Sequence, residues 1–324
     1  MAASATPAAN LDMGVIGNAA FAALIDDHGR IVWSCMPHFD NDPVFCHLLD
    51  NTPDTGEDDR QGIWAIDVED PAEIRQAYIP NTAIIETYLY DTHGGILKIT
   101  DFAPRYPHYE RFFKPSTICR IVEPVAGEPR MRVKLRPRFN YGTSAPSTTR
   151  GGNHMRFVSP DLALRLTTDA PLIYLQDETW FMLDQKYTFI FGPDEPLVKS
   201  VEKTGEQWLY ATHDYWLGYV RSLAIPYEWQ DVVIRSAITL KLCTFEETGA
   251  ILAAQTASIP EAPGTSRNWD FRYCWLRDSL FVIGALNSIS ATETMEEHIR
   301  YVMNLAMMAD GGDLQPLYGI ALQK

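Results

Sequence analysis

Within Gly264–Ser279, GTSRNWDFRYCWLRDS, three side chains are of the right types and spacing to grip a pyranose together: Trp275, Arg277 and Asp278. An indole offers a flat apolar face to the axial C–H side of a sugar ring, while a guanidinium fork and a carboxylate can each take two hydroxyls of the same ring. A pocket built this way excludes water and still satisfies polar groups. The same residues have a plainer reading. Asp278 and Ser279 precede the apolar run LFVIGAL, and Asp is among the best helix N-caps.

Other strings widen the pattern. VIGNAAFAALIDDHGRIVWSCMPHFDNDPVFCHLLD, LKITDFAPR, LRPRFNYG, RSAITLKLC, GAILAAQTASIPEAPGTSRNWDFRYCWLRDS and LQPLYGI together resemble the bacterial branch of glycoside hydrolase family 15. That family comprises the glucoamylase, glucodextranase and trehalase-like enzymes. WLRD following RNWD is the most specific of these strings. The resemblance implies that Arg277 and Asp278 hold hydroxyls of the glucose before the scissile bond and that Trp275 walls the subsite. Phe271 stands where the family usually has Tyr. The ring keeps the wall but loses a hydroxyl, worth about 1 kcal/mol per neutral hydrogen bond in orienting substrate.

Inverting hydrolysis needs two carboxyl groups about 6.5 to 9.5 Å apart, one protonating the leaving oxygen and one activating water. By the resemblance, the family's two catalytic glutamates lie downstream of the LQPLYGI position, so no catalytic residue is assigned in this sequence and the chain is expected to be inactive as it stands. Glu261 and Asp270 flank the motif, but neither has an identifiable opposing carboxylate, and both read as loop or scaffold groups. The implied activity is exo-acting, inverting α-glucoside hydrolysis on an α-glucan oligosaccharide or trehalose. Two alternatives stay open: a non-catalytic sugar-binding or subunit-docking protein, and a relative of the phosphate-dependent disaccharide phosphorylases.

Charge and composition narrow the classes. A formal net charge of −15 argues against nucleic acid and anionic membrane as partners, since both demand basic patches. No run of about 18 uncharged apolar residues occurs, so no membrane span is expected. Cys35, Cys46, Cys119, Cys243 and Cys274 are odd in number and lack CxxC spacing, suggesting neither a disulfide framework nor a zinc site. A reducing cytoplasm fits, and MAASATPAAN has neither the basic nor the apolar region of a signal peptide. No GxGxxG, P-loop or EF-hand pattern occurs, so no cofactor is indicated.

The positioning elements follow from periodicity. The expected architecture is β plus α: residues 1–10 disordered, 11–212 an antiparallel β-sandwich, 213–225 an aromatic linker and 226–324 helical. Leu162, Leu164 and Leu166 share one strand face; Val133 and Leu135 alternate with Arg132, Lys134 and Arg136, the wet face. Asp27-His28-Gly29 reads as a hairpin turn, and Gly94-Gly95 and Gly151-Gly152 mark further turns. Pro226 opens a helix with an apolar stripe of Trp229, Val232, Val233, Ser236, Ala237, Leu240 and Cys243. A second helix follows Asp278, its run LFVIGAL enclosed by neighbours. A third carries Met295, Ile299, Val302, Met303 and Ala306 as core filler, with His298 beside them a surface or core residue, not a metal ligand. The resemblance implies that these helices begin an (α/α)6 toroid, of which residues 226–324 supply roughly a quarter. Its unfilled faces imply self-association, or docking of the remaining toroid, through exposed helices.

Overall fold

Alternation becomes two antiparallel sheets. In the computed structural model, which describes residues 12–49, 60–257, 259, 265–309 and 314–323, a seven-stranded sheet runs in the order Met13–Gly17, Ala22–Asp26, Ile31–Cys35, Ile63–Val68, Arg130–Arg136 and Phe181–Met182, with Pro43–Cys46 on Ile31–Cys35. An eight-stranded sheet runs Ser147–Arg150, His154–Val158, Ala163–Thr168, Tyr187–Pro193, Ile118–Ala126, Ile96–Phe102, Ile85–Asp91 and Pro71–Tyr78. The expected disordered residues 1–10 lie outside the described residues, as does Glu261.

The sheets face each other across one apolar core. Trp64, Ile66 and Val133 of the first meet Leu97, Ile99, Val122, Leu166 and Phe191 of the second. Leu164 and Leu166 are buried, as their alternation requires, and Gly29, at φ +73°, turns the hairpin between Ala22–Asp26 and Ile31–Cys35. Lys134 departs from its expected wet face. It is buried, and its Nζ lies 2.7 Å from an oxygen of Asp67 on the neighbouring strand. Burial lowers its pKa to about 8, with the nearby charge of Arg136 acting in the same direction. Inside the sandwich, Arg120 and Asp101 form a wholly buried pair: Nε donates to Oδ1 at 2.7 Å, Nη2 to Oδ2 at 3.1 Å and Nη1 to the Trp64 carbonyl at 2.8 Å.

Helices follow. After the short α1 (Leu172–Gln176), α2 spans Val201–Arg221, so the segment 213–225, expected as a linker, is largely its second half. The buried positions Val201, Thr204, Gly205, Thr212, Trp216 and Val220 make a stripe too polar and too rich in poor helix formers to read as one. Tertiary contact overrides that weak propensity. A Cβ on Gly205 would stand 2.6 Å from Thr188 Cγ2, so the glycine lets the helix lie close on the sheet.

α3 covers Gln230–Leu242, starting four residues after Pro226 because Trp229 adopts a left-handed conformation at φ 61°. Its buried face is Ala237, Ile238, Lys241 and Leu242, while Trp229 and Val232, expected on the apolar stripe, are exposed. The face is chosen by what it meets: Ile238 and Leu242 pack with Ala83, Trp216 and Val220. Arg235 stacks 3.8 Å over the Tyr78 ring and donates to the Thr82 carbonyl, tying the helix to the sandwich.

α4 (Leu276–Ser288) and α5 (Thr292–Met308) pack on one another. Their faces correct the sequence reading. α5 buries Thr294, His298, Tyr301 and Leu305, whereas Ile299 and Met303 of the expected core stripe are exposed. His298 is a core residue whose Nδ1 lies 2.9 Å from the Gly249 carbonyl. LFVIGAL is not enclosed either: Leu280 and Phe281 are 67% and 71% exposed. Single exposed apolar residues are ordinary, but two adjacent large ones are not, and Ile299, Met303 and Met307 of the next helix are exposed as well. An apolar-surface dye is expected to bind this chain, and Leu280→Ser with Phe281→Ser to reduce the fluorescence at least twofold, a change on the order of the lost patch area. Unchanged dye signal would place the exposed surface elsewhere. Among the described residues no helix is long and apolar enough to cross a membrane, and none of the five cysteines forms a disulfide.

Candidate functional site

The segment carrying the candidate residues is stitched into the domain seam. Phe271 accepts a backbone hydrogen bond from Ala254 at 2.9 Å, and Cys274–Trp275 pairs with Leu317–Tyr318 of the LQPLYGI string. Behind it lies an apolar cluster in which Ala22 and Phe39 of the sandwich meet Phe245, Cys274, Tyr301, Tyr318 and Ile320.

Trp275 then caps α4 with extended backbone, and the chain enters the helix at Leu276. Asp278 is therefore not the N-cap but a first-turn residue, where its charge faces the helix's positive end. Arg277 Nη2 donates to Asp278 Oδ2 at 3.1 Å, and both side chains are open, 74% and 41% exposed. Trp275 is half-buried, and its Nε1 makes no hydrogen bond among the described residues. Phe271 is half-buried one turn of chain earlier. Arg277 and Asp278 are thus brought into direct contact, while Trp275 and Phe271 are each half-buried and, among the described residues, no side-chain hydrogen bond or ring contact joins them to that pair.

The cavity beside this segment, about 140 Å³, is lined by Asp40, Asp270, Arg272, Tyr273, Gly319, Ile320 and Gln323. Trp275, Arg277 and Asp278 are not among its walls. A larger cavity of about 380 Å³ lies away from the motif, between Tyr106, Phe113 and Trp208 at the start of α2. Asp270, a loop residue by sequence, is committed to Arg272, accepting from its Nε at 3.0 Å and its Nη2 at 2.8 Å. Arg272 itself had no signal in the sequence, because its other partners are distant loops.

A second unforeseen cluster lies at the seam. Glu246, just after α3, accepts from Arg105 Nη1 at 2.9 Å and Nη2 at 2.6 Å and from Lys114 at 3.0 Å, with Lys241 Nζ at 2.6 Å. Arg105 also lies 4.7 Å from the Phe112 ring centroid and 4.5 Å from that of Tyr215, two rings in edge contact with each other. Burial alone would raise the Glu246 carboxyl, but the charges of Arg105 and Lys241 and the hydrogen bonds outweigh it and hold the pKa at about 2. The cluster joins sandwich to helices and reaches none of the motif residues.

Comparison with known proteins follows these two parts of the chain. Residues 2–170 match the family described as "Trehalase-like, N-terminal", more than half of the sequence, and residues 228–321 match "Glycosyl hydrolases family 15". The chain belongs to glycosyl hydrolase family 15, with a trehalase-like N-terminal part. This family 15 chain is 29% identical over 315 residues to a trehalase of Thermoplasma volcanium, covering 95% of this chain and 49% of the relative. It is 30% identical over 273 residues to a trehalase of Thermoplasma acidophilum, 82% of this chain and 45% of that one. Trehalase 1 of Sulfolobus acidocaldarius is 29% identical over 313 residues, 95% and 51% respectively. The chain spans about half the length of the curated relatives it matches.

Proposed function

We propose that this chain forms the glucose-binding half of an inverting, exo-acting α-glucoside hydrolase acting on trehalose. The observation that carries the reading is the coincidence of the family 15 match, residues 228–321, with the contact between Arg277 and Asp278. In this reading the paired guanidinium and carboxylate open to hydroxyls of one glucosyl ring, and Trp275 closes the apolar side. Trehalose ranks above longer α-glucans because the relatives that match across the chain are named trehalases.

Asp278 is occupied by Arg277 and Asp270 by Arg272, so neither serves as acid or base here. The two carboxyl groups that inversion requires are assigned to polypeptide corresponding to the relatives' other half, which would also wall the open side of α4 and complete the toroid. Calorimetric titration with trehalose and maltose tests the binding half. Trehalose is expected to bind more tightly, and Arg277→Ala to weaken it by roughly a hundredfold, the loss of a bidentate charged contact. Equal affinity before and after the substitution would end the assignment. Where turnover occurs, proton NMR should see, before mutarotation, β-glucose from the attacked residue and an equal amount of α-glucose from the leaving one.

A further inference from the structure

Arg272 stands between the sugar-binding segment and the sandwich, and its bonding capacity is spent. A guanidinium has five N–H donors. Nε donates to Asp270 Oδ1 at 3.0 Å; Nη1 donates to the Asn41 carbonyl at 2.6 Å and lies 3.5 Å from Cys35 Sγ; Nη2 donates to the Tyr141 hydroxyl at 2.7 Å and to Asp270 Oδ2 at 2.8 Å. The residue is 5% exposed. One acceptor residue, Asp270, belongs to the same loop and also takes the Arg272 backbone N–H at 3.0 Å. Of the others, Asn41 and Tyr141 belong to two sandwich loops and Cys35 ends the strand Ile31–Cys35.

One of those loops is held in an unusual shape. Asn140, Tyr141 and Gly142 have φ of 49°, 52° and 89°, three successive left-handed residues; Asn and Gly tolerate the region, but Tyr141 carries a side chain that disfavours it. Phe139 and Ser144 bridge the base of the turn. A strained backbone persists where its surroundings over-determine it, and here it delivers a phenol to the guanidinium. Three residues beyond Arg272, Trp275 caps α4, so a shift of the arginine is passed directly to the indole and to the first helical turn.

We propose that Arg272 is a positioning residue: through Asn41 and Tyr141, the β-sandwich sets the orientation of the segment that presents Trp275, Arg277 and Asp278 to sugar. The inference rests on the sugar-binding reading above. With all its donors engaged, Arg272 touches no ligand; it fixes the residues that do. Asp40, from the first of these sandwich loops, shares the adjoining cavity with Asp270 and Tyr273, so the sandwich also forms part of that wall.

The test is trehalose titration of the whole chain and its variants, with thermal melting alongside. Arg272→Lys keeps the charge and loses the fork; Tyr141→Phe removes one acceptor and keeps the ring. Val133→Ala, in the sandwich core away from the seam, supplies destabilisation alone. Arg272→Lys is expected to weaken trehalose binding roughly tenfold or more and Tyr141→Phe by a smaller factor, as the loss of one hydrogen bond to a charged donor implies. Val133→Ala should lower the melting temperature and leave affinity unchanged. Wild-type affinity in both Arg272→Lys and Tyr141→Phe, or loss of affinity in Val133→Ala in step with its melting temperature, overturns the proposal. Failure of the unaltered chain to bind trehalose overturns the sugar reading and this inference with it.

Discussion

Replacing Glu246 with glutamine is expected to destabilise the folded chain by about 3 to 5 kcal/mol, the range for breaking a buried ionic cluster by removing one partner. The carboxylate is 8% exposed and is the shared acceptor for Arg105 and Lys241, 2% and 3% exposed, and for Lys114. Glutamine keeps the volume but carries no charge and turns an NH2 toward cations. Three positive groups would then face one another at the seam. The pH dependence gives an independent check. The Glu246 pKa is depressed from 4.5 to about 2, so its stabilisation is complete above pH 4.5 and is lost as pH falls toward 2. Its full size by that route is about 3 kcal/mol, in line with the substitution range. Urea midpoints should therefore separate the two proteins at pH 7 and bring them together near pH 2. A gap that stays constant with pH would contradict the assigned cause.

Arg120→Met should cost a comparable amount, about 3 to 5 kcal/mol, for a different reason. Arg120 and Asp101 are both 0% exposed, and the guanidinium also satisfies the Trp64 and Gly29 carbonyls while stacking 5.1 Å from the Trp64 ring. Methionine fills much of the space but strands a carboxylate and two carbonyls in an apolar core. Removing the stranded charge should then restore stability: Arg120→Met with Asp101→Leu is expected to recover more than half of the loss, since apolar replacement of a whole buried pair is often near neutral. Equilibrium urea unfolding of the two singles and the double decides this. Additive losses in the double variant would show that the pair is not the source.

What could be read in the sequence was what repeats locally. Alternation at Leu164 and Leu166 and the turn at Gly29 needed only neighbouring residues, and the helices after Asp278 announced themselves by apolar content. Which face each helix buries did not follow. Met303 and Ile299 are as apolar as Tyr301 and Leu305, and only the position of the sandwich and α4 decides between them. α2 was hidden because its buried stripe contains Thr204, Gly205 and Thr212, whose value lies in letting the helix approach Thr188 closely. The seam was invisible for a topological reason. Arg105 and Lys114 meet Glu246 across 141 and 132 residues, and Arg272 reaches Asn41 across 231, separations at which no periodicity survives. In the candidate site, motif spelling marked Trp275, Arg277 and Asp278, whereas Arg272 lay between Phe271 and Tyr273 with nothing in its neighbours to distinguish it.

The left-handed turn at Asn140–Gly142 has a bearing on how such chains can be taken apart. Families assign the first 170 residues and the last hundred or so to separate modules, yet a phenol in the first is the acceptor for a guanidinium in the second. A graft of the helical module onto a foreign β-scaffold would need to reproduce that awkward backbone, the Asn41 carbonyl beside it and the cations that meet Glu246. Interchangeable as text, the two modules are a single mechanical object.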